Sequence, residues 1–438
     1  MMLLVMLMLA FSANAINITG KQIYVPKELQ NMNLNDTASE WCYSRMTLTP
    51  NIAIFWEKGF GDMTNPPALD GHKMDVNLSN LKSKLESFYT FFKDTLQFIK
   101  PGSNADKYRM MTMLRYSLEG TAYGGDYDSI IGALWIAPNR IQDEKLNCIA
   151  HELGHSFQSQ ITCDGLSHSW DCGGFYEMTS QWMLWQVNPQ WMTDENYHWV
   201  AFTKQTHKAF MHNDNIYHSP YILEYWGMKH GRPFIADMYR QGHADEDVVM
   251  TYQRMTKINQ RQFCDEMFDA VRHIVNLDYP RVWRYTRNYA CTLSARLHAE
   301  KHGWYAIDDD NAPENYGFNA IPLVVPKMGK TVKVKFRGLA GKNVSAQQAP
   351  SAGWRYGFVC VTLHGESIYS AMMDKSDGTL TFTLPKDKSV LHLYLVVMGA
   401  PAVHWRNPDK GSDAQWPYMI KLSGTDIIAP AQNNQNKQ

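Results

Sequence analysis

Residues 151–155 read HELGH, and this pentapeptide restricts the fold more than any other stretch of the chain. On an α-helix, residues four apart lie one above the other on the same face. His151 and His155 would therefore offer two imidazole nitrogens to one metal ion, with the Glu152 carboxylate beside them in reach of a metal-bound water. This is the H-E-x-x-H pattern of zinc hydrolases, and it has meaning only on a helix. The flanking residues predict one. Pro138 and Asn139 precede it as start signals, and Asp143 and Glu144 are expected in its first turn, where carboxylates complement the helix dipole. Ile149, Leu153 and Phe157 form an apolar stripe facing a core. Gly154 is the one poor helix former, at roughly 1 kcal/mol relative to alanine. Its presence predicts a close approach by another backbone or by substrate.

A catalytic zinc usually takes three protein ligands and leaves the fourth position to water. The extended motif H-E-x-x-H-x-x-G-x-x-H is excluded, because Gln158 and Ile161 stand at its glycine and third histidine. The other common solution is a glutamate on a following helix. Gly173 and Gly174 break the chain, a helical segment follows, and Glu177 lies near its start, with Gln181 and Trp185 on the same face. Glu177 is expected as the third ligand and Gln181 as a residue holding a ligand in place. Asp164, His168 and Asp171, in the intervening loop, are the rivals. Cys148, three residues before His151, reads as buried packing.

HELGHSFQ followed by GGFYE resembles the gluzincin metallopeptidases, and more narrowly the secreted Svx-like and AvrXca-like bacterial proteins. Further stretches add to the resemblance: NIAIFWEKGFG at 51–61, YGGDYDSIIGALWIAP at 123–138, WRYGFVCV at 354–361 and QWPYMIKL at 415–422. Together they span about residues 41–423. By position the resemblance implies His151, His155 and Glu177 as ligands of one Zn2+, Glu152 as catalytic acid/base, and Gly132–Trp135 as the sheet edge that holds an extended peptide, with an ordinary core strand as the competing reading of that segment. Many gluzincins carry aspartate four residues after the ligand glutamate, where this chain has Gln181.

The expected fold class is α+β: a zincin-like metallopeptidase domain over 41–318, with a mixed sheet and a mainly helical second half, followed by a β-sandwich over 319–428. Residues 1–15, MMLLVMLMLAFSANA, read as a signal peptide ending in Ala-Asn-Ala. Residues 16–40 read as a polar leader without a firm fold, and 429–438 as a disordered tail. The protein is thus expected to be secreted or periplasmic, with no membrane span. A formal net charge of −1 argues against nucleic acid as a partner. Strands are expected at Ile52–Trp56, 108–117 and 130–137, a Gly-Asp loop at 123–127, and a helix at 77–99. In the C-terminal part they are expected at 331–337, 357–363, 380–384, 391–397 and 418–422. Seven cysteines leave at least one thiol over, and export would permit a Cys163–Cys172 disulfide.

Two functional readings follow. One is a zinc endopeptidase acting on a protein or glycoprotein. The other is a glycan- or surface-polymer-binding protein, for which Trp354, Trp405 and Trp416 are candidates for a carbohydrate-stacking surface, with core or interdomain packing as the favoured role. His218, Tyr221 and Tyr225 are candidate oxyanion donors, with aromatic core packing as the competing role.

Overall fold

A computed structural model describes residues 20–120, 122–166, 170, 172–339, 349–407, 411 and 413–428. Residues 1–15, His168, Asp171 and the tail 429–438 lie outside the described residues. The helices in chain order are α1 (Leu78–Asp94), α2 (Asn104–Lys107), α3 (Asn147–Cys163), α4 (Phe175–Val187), α5 (Trp191–Asp194), α6 (Tyr197–Thr203), α7 (Tyr221–His230), α8 (Pro233–Gln241), α9 (Val248–Thr256), α10 (Gln260–Asn276) and α11 (Trp283–Thr286). The class is mixed α+β, with a helical middle region and antiparallel sheets toward the C-terminus.

The chain divides into two compact units. The first comprises residues up to 171, with 179–188 and 230–245. Its sheet has the order β1-β2-β3-β5-β4. The strands are β1 (Met46–Leu48), β2 (Ile52–Trp56), β3 (Met110–Leu114), β4 (Tyr123–Tyr127) and β5 (Ile131–Ile136). β2, β3 and β5 run parallel and are almost wholly buried. That is why they read as continuous apolar runs rather than as alternation. β4 pairs antiparallel with β5 and ends the sheet. The edge is therefore β4, not Gly132–Trp135, and 123–127 is a strand rather than a loop. Glycine has low strand propensity, so YGGDY does not look like a strand in sequence.

α1 starts at Asn77, whose side chain accepts from the Asn80 N–H at 3.0 Å. It buries Leu81, Leu85, Phe88, Tyr89 and Phe92. Against these packs Phe157 of α3, edge-on to Tyr89 at 5.1 Å and Phe92 at 5.4 Å. Burying one such side chain stabilises by about 1.5–3 kcal/mol. α3 begins later than predicted. Asp143 and Glu144 precede it, Leu146 takes a left-handed backbone (φ 55°), and the Asp143 carboxylate accepts from the Asn147 N–H at 3.3 Å. Asp143 thus serves the helix start from outside the first turn.

The expected leader is ordered over residues 20–40. Gln22 bridges to Tyr108, Leu29 and Leu34 are buried, and Tyr24 donates to Asp128 at 2.9 Å. The buried Arg109 guanidinium donates to the carbonyls of Thr49 and Lys21, which binds this segment to the sheet.

The second unit comprises 172–178, 189–229 and 246 onward. It holds a sheet ordered β11-β10-β13-β8 and another ordered β12-β9-β14-β7-β6. The strands are β6 (Leu297–Glu300), β7 (Trp304–Ile307), β8 (Phe318–Leu323), β9 (Thr331–Gly338), β10 (Trp354–Thr362), β11 (Ser367–Tyr369), β12 (Asp377–Thr383), β13 (Val390–Gly399) and β14 (Tyr418–Ser423). All neighbours within each sheet are antiparallel. The inner faces meet in one apolar core, where Phe336 stacks on Tyr356 at 4.1 Å and Phe358 on Phe382 at 6.0 Å. α10, started by the Asn259/Gln262 capping box, carries Asp265, which accepts from the buried Arg355 of β10 at 2.6 Å. The compact units do not divide at 318/319, because the helices within 189–229 and from 246 onward, and β6–β7, group with the sandwich, while α8 groups with the first unit.

Candidate metal centre

α3 presents three faces, each with a distinct task. Ile149, Leu153, Phe157 and Ile161 are buried as the apolar stripe. Glu152, Ser156 and Gln160, four residues apart, face β4 and β5. Gly124 N–H donates to Glu152 Oε2 at 2.9 Å, Ser156 Oγ donates to the Ala133 carbonyl at 2.6 Å, and Gly132 N–H donates to Gln160 Oε1 at 2.8 Å. The strands approach closely enough to require glycine. A Cβ at Gly124 would stand 1.7 Å from the Glu152 carbonyl oxygen, and one at Gly132 would stand 2.8 Å from that of Ser156.

The third face carries His151 and His155, both buried. α4 crosses it at Gly154, where a Cβ would meet Ser180 Oγ at 2.8 Å and Ser180 Cα at 3.3 Å. The helix-weakening glycine is thus explained by a helix crossing. His151 Nδ1 lies 2.8 Å from Gln181 Oε1. His155 Nδ1 lies 3.0 Å from Gln158 Oε1 and 3.1 Å from Ser180 Oγ, while Gln158 Nε2 donates to Ser180 Oγ at 3.2 Å. With acceptors behind both Nδ1 atoms, each ring is the Nδ1–H tautomer and keeps its Nε2 lone pair.

Those two Nε2 atoms face each other at 3.1 Å. Two lone pairs at that distance repel unless a cation or a proton lies between them. Zinc held at about 2.0–2.1 Å in tetrahedral geometry would separate two nitrogens by roughly 3.3 Å. Glu177 completes the set. Its helix is unbroken through Gln181, one turn on, and one ligand atom from each of His151, His155 and Glu177 lies within 4.8 Å of the other two. Two imidazoles and a carboxylate are a donor set suited to zinc. Among the described residues this is the one group of three or more such side chains placed to hold a metal ion. Of the rivals, Asp164 is engaged elsewhere. It accepts from Asn104 N–H at 2.9 Å and from Gln160 at 2.8 Å.

Residues 15–429 match the family of unknown function DUF6055. The chain belongs to the DUF6055 family. No curated protein matches it. Among solved structures, it is similar to accessory secretory protein 1, 2 and 3 of Streptococcus pneumoniae, at 8% identity over 31% of this chain and 87% of that one, with a TM-score of 0.18. It is also similar to the full particle of Israeli acute paralysis virus heated to 63 degrees, at 11% identity over 31% of this chain and 71% of that one, with a TM-score of 0.13. Neither likeness bears on fold or function.

Other candidates in this DUF6055 member have different tasks. Tyr221 is buried against Trp199 and Phe202, and Tyr225 donates to Asp269 at 2.6 Å. His218 lies 2.7 Å from His198, Nδ1 to Nδ1. Trp354 and Trp416 are buried in the sandwich, where Trp354 Nε1 donates to the Trp416 carbonyl at 2.9 Å, and Trp405 packs partly buried beside them. They form a core rather than a stacking surface. Cys163 and Cys172 are not joined by a disulfide. Among the described residues, no helix is long and apolar enough to cross a membrane. Sequence reasoning missed Gly124, Gln158 and Ser180. Gln158 was within reach, being three residues from His155 on the same helix, but nothing in the sequence marks Gly124 or Ser180 as partners of Glu152 and His155.

Proposed function

We propose that this DUF6055 member is an exported zinc-dependent endopeptidase. The convergence of His151, His155 and Glu177 beside a carboxylate held by a backbone N–H is the observation that carries this reading. When bound, zinc supplies a water acidic enough to give hydroxide near neutral pH, and it polarises a substrate carbonyl. Gln181 and Gln158 hold the two imidazoles in the tautomer that directs Nε2 at the ion. Glu152, half-buried and oriented by Gly124, accepts a proton from the nucleophilic water at a carboxylate oxygen and delivers it to the leaving amine. β4, the outermost strand of its sheet, is suited to pair with an extended peptide next to Glu152. The Ala-Asn-Ala pattern after an apolar N-terminal run supports export.

The test joins metal content to hydrolysis of an unfolded protein such as reduced casein. Wild type should bind one zinc per chain and cleave. Glu152→Gln should keep its zinc and lose about 10²–10⁴-fold in rate. Full activity in zinc-loaded Glu152→Gln, or a folded wild type that takes up no zinc, would overturn the reading.

A further inference from the structure

The five-stranded sheet of the second unit buries one face and exposes the other, and its strand β9 does so with a strict period of two. On β9, Val332, Val334 and Phe336 point into the core, while Lys333, Lys335 and Arg337 point out. Register places Lys335 directly between Lys421 of β14 and Thr379 of β12. Lys333 lies between Ser423 and Thr381. Together with Trp304 of β7, Lys333, Lys335, Thr379, Lys421 and Ser423 line a shallow depression of about 300 Å³.

This concentration of cations is local, since the whole chain has a formal net charge of −1. It also opposes stability. Like charges directly opposite on neighbouring strands destabilise a sheet, and Lys335 opposes Lys421. Among the described residues, neither lysine nor Lys333 has a carboxylate partner. Lys421 donates to the His302 carbonyl at 2.7 Å, and the Lys335 ammonium stands 5.9 Å from the Trp304 ring centroid. That ring also carries the Arg337 guanidinium at 5.0 Å. Arg337 is also paired with the Asp377 carboxylate at 3.4 Å, which leaves Lys333, Lys335 and Lys421 as the cations open to an anion. The Trp304 ring beside Lys335 restrains that ammonium and lowers the entropy lost when an anion engages it.

We propose that this face binds an acidic polysaccharide. A polymer with regularly repeated carboxylates or sulfates meets cations spaced about 6.7 Å along a strand and about 4.8 Å across it. Its sugar hydroxyls meet the Thr379, Thr381 and Ser423 hydroxyls flanking the lysines. Strand backbones are paired beneath this face, so an acidic polypeptide would find no partners there for its own amides. A single-stranded nucleic acid would call for several exposed aromatic platforms, and the depression offers Trp304 alone. The chain's own tail, 429–438, contains no Asp or Glu and does not complement the charge. The proposal is independent of the peptidase reading, and it places glycan contact on a different surface from the three tryptophans of the core.

The experiment uses the full chain against immobilised polygalacturonate and heparin, with dextran and poly-L-glutamate as comparators. Wild type should bind at least one of the two acidic polysaccharides, more weakly as salt rises from about 50 to about 500 mM, and should not bind dextran. Replacing Lys333, Lys335 and Lys421 together by glutamate should weaken binding at least about tenfold, as should the charge-neutral Lys→Gln triple if the first variant folds poorly. The same triple reversal at the exposed Lys27, Lys58 and Lys73 should leave it within about twofold. Three results would overturn the proposal: no binding of either acidic polysaccharide, binding unchanged in the folded lysine variants, or equal affinity for poly-L-glutamate.

Discussion

Two histidine pairs in this molecule look alike in composition and differ in what they can do. His151 and His155 face each other through Nε2 at 3.1 Å, and His198 and His218 through Nδ1 at 2.7 Å. Each has a glutamate nearby. In the first pair Glu177 converges on the facing nitrogens, and glutamine and serine oxygens stand behind both rings. In the second, Glu195 lies 3.5 Å from the far nitrogen of His198, so carboxylate and imidazoles form a line. Such an arrangement passes hydrogen bonds along, and 2.7 Å between the two Nδ1 atoms is hydrogen-bond distance, with one ring as donor and the other as acceptor. Convergent lone pairs with their rear N–H groups saturated can chelate. Two histidines and a glutamate are therefore not enough to define a metal site; the direction of each lone pair decides.

Metal binding tests that difference most sharply. His155→Ala should reduce bound zinc to below about a tenth of an ion per chain, whereas His218→Ala should keep the full complement. Zinc content by atomic absorption on dialysed protein would read both. Loss of zinc from His218→Ala would break the distinction. A smaller effect is expected one layer out. Gln181→Leu removes the acceptor behind His151 and should weaken zinc affinity about 10–100-fold with the fold intact, measured by competition with a chelating dye. An unchanged affinity would show that the tautomer is set by something other than Gln181.

A third variant separates holding the metal from holding the base. Gly124→Ala would place a Cβ 1.7 Å from the Glu152 carbonyl oxygen, so β4 must move off α3. Overpacking of this kind destabilises by about 1–3 kcal/mol. Urea midpoints should fall accordingly, zinc should remain, and peptide hydrolysis should drop as Glu152 loses its N–H donor.

The sequence carries the metal helix plainly because three periodicities coincide there. The apolar stripe, the two histidines and the Glu152–Ser156–Gln160 row all repeat at helical spacing. Glu177 and Gln181 are readable for the same reason. What escapes is written in backbone approach rather than in side-chain pattern. Gly124 looks like a loop residue, but it is a strand residue whose missing side chain makes room for α3. In the sandwich, β9 and β13 announce themselves by alternation or apolar run. β8 does not, because it contains Pro322, which it tolerates as the outermost strand of its sheet. β6 does not either, because an edge strand with almost no buried side chain has no core-facing pattern to show.

The smallest expected effect concerns the second histidine pair and proton binding. Burial, then the neighbouring His198, lowers the His218 pKa below the ordinary imidazole value of about 6.5. The folded state therefore takes up this proton less readily than the unfolded chain. Its stabilising contribution is full above pH of about 6.5 and is lost as pH falls through that value toward the lowered folded pKa. Urea midpoints measured from about pH 8 down to about pH 5, in EDTA so that metal release plays no part, should decline more steeply for wild type than for His218→Asn. Equal slopes would mean that the pair shares its proton without favouring the neutral state. The linear pair would then be as indifferent to acid as an exposed imidazole, and the contrast with the chelating pair would rest on geometry alone.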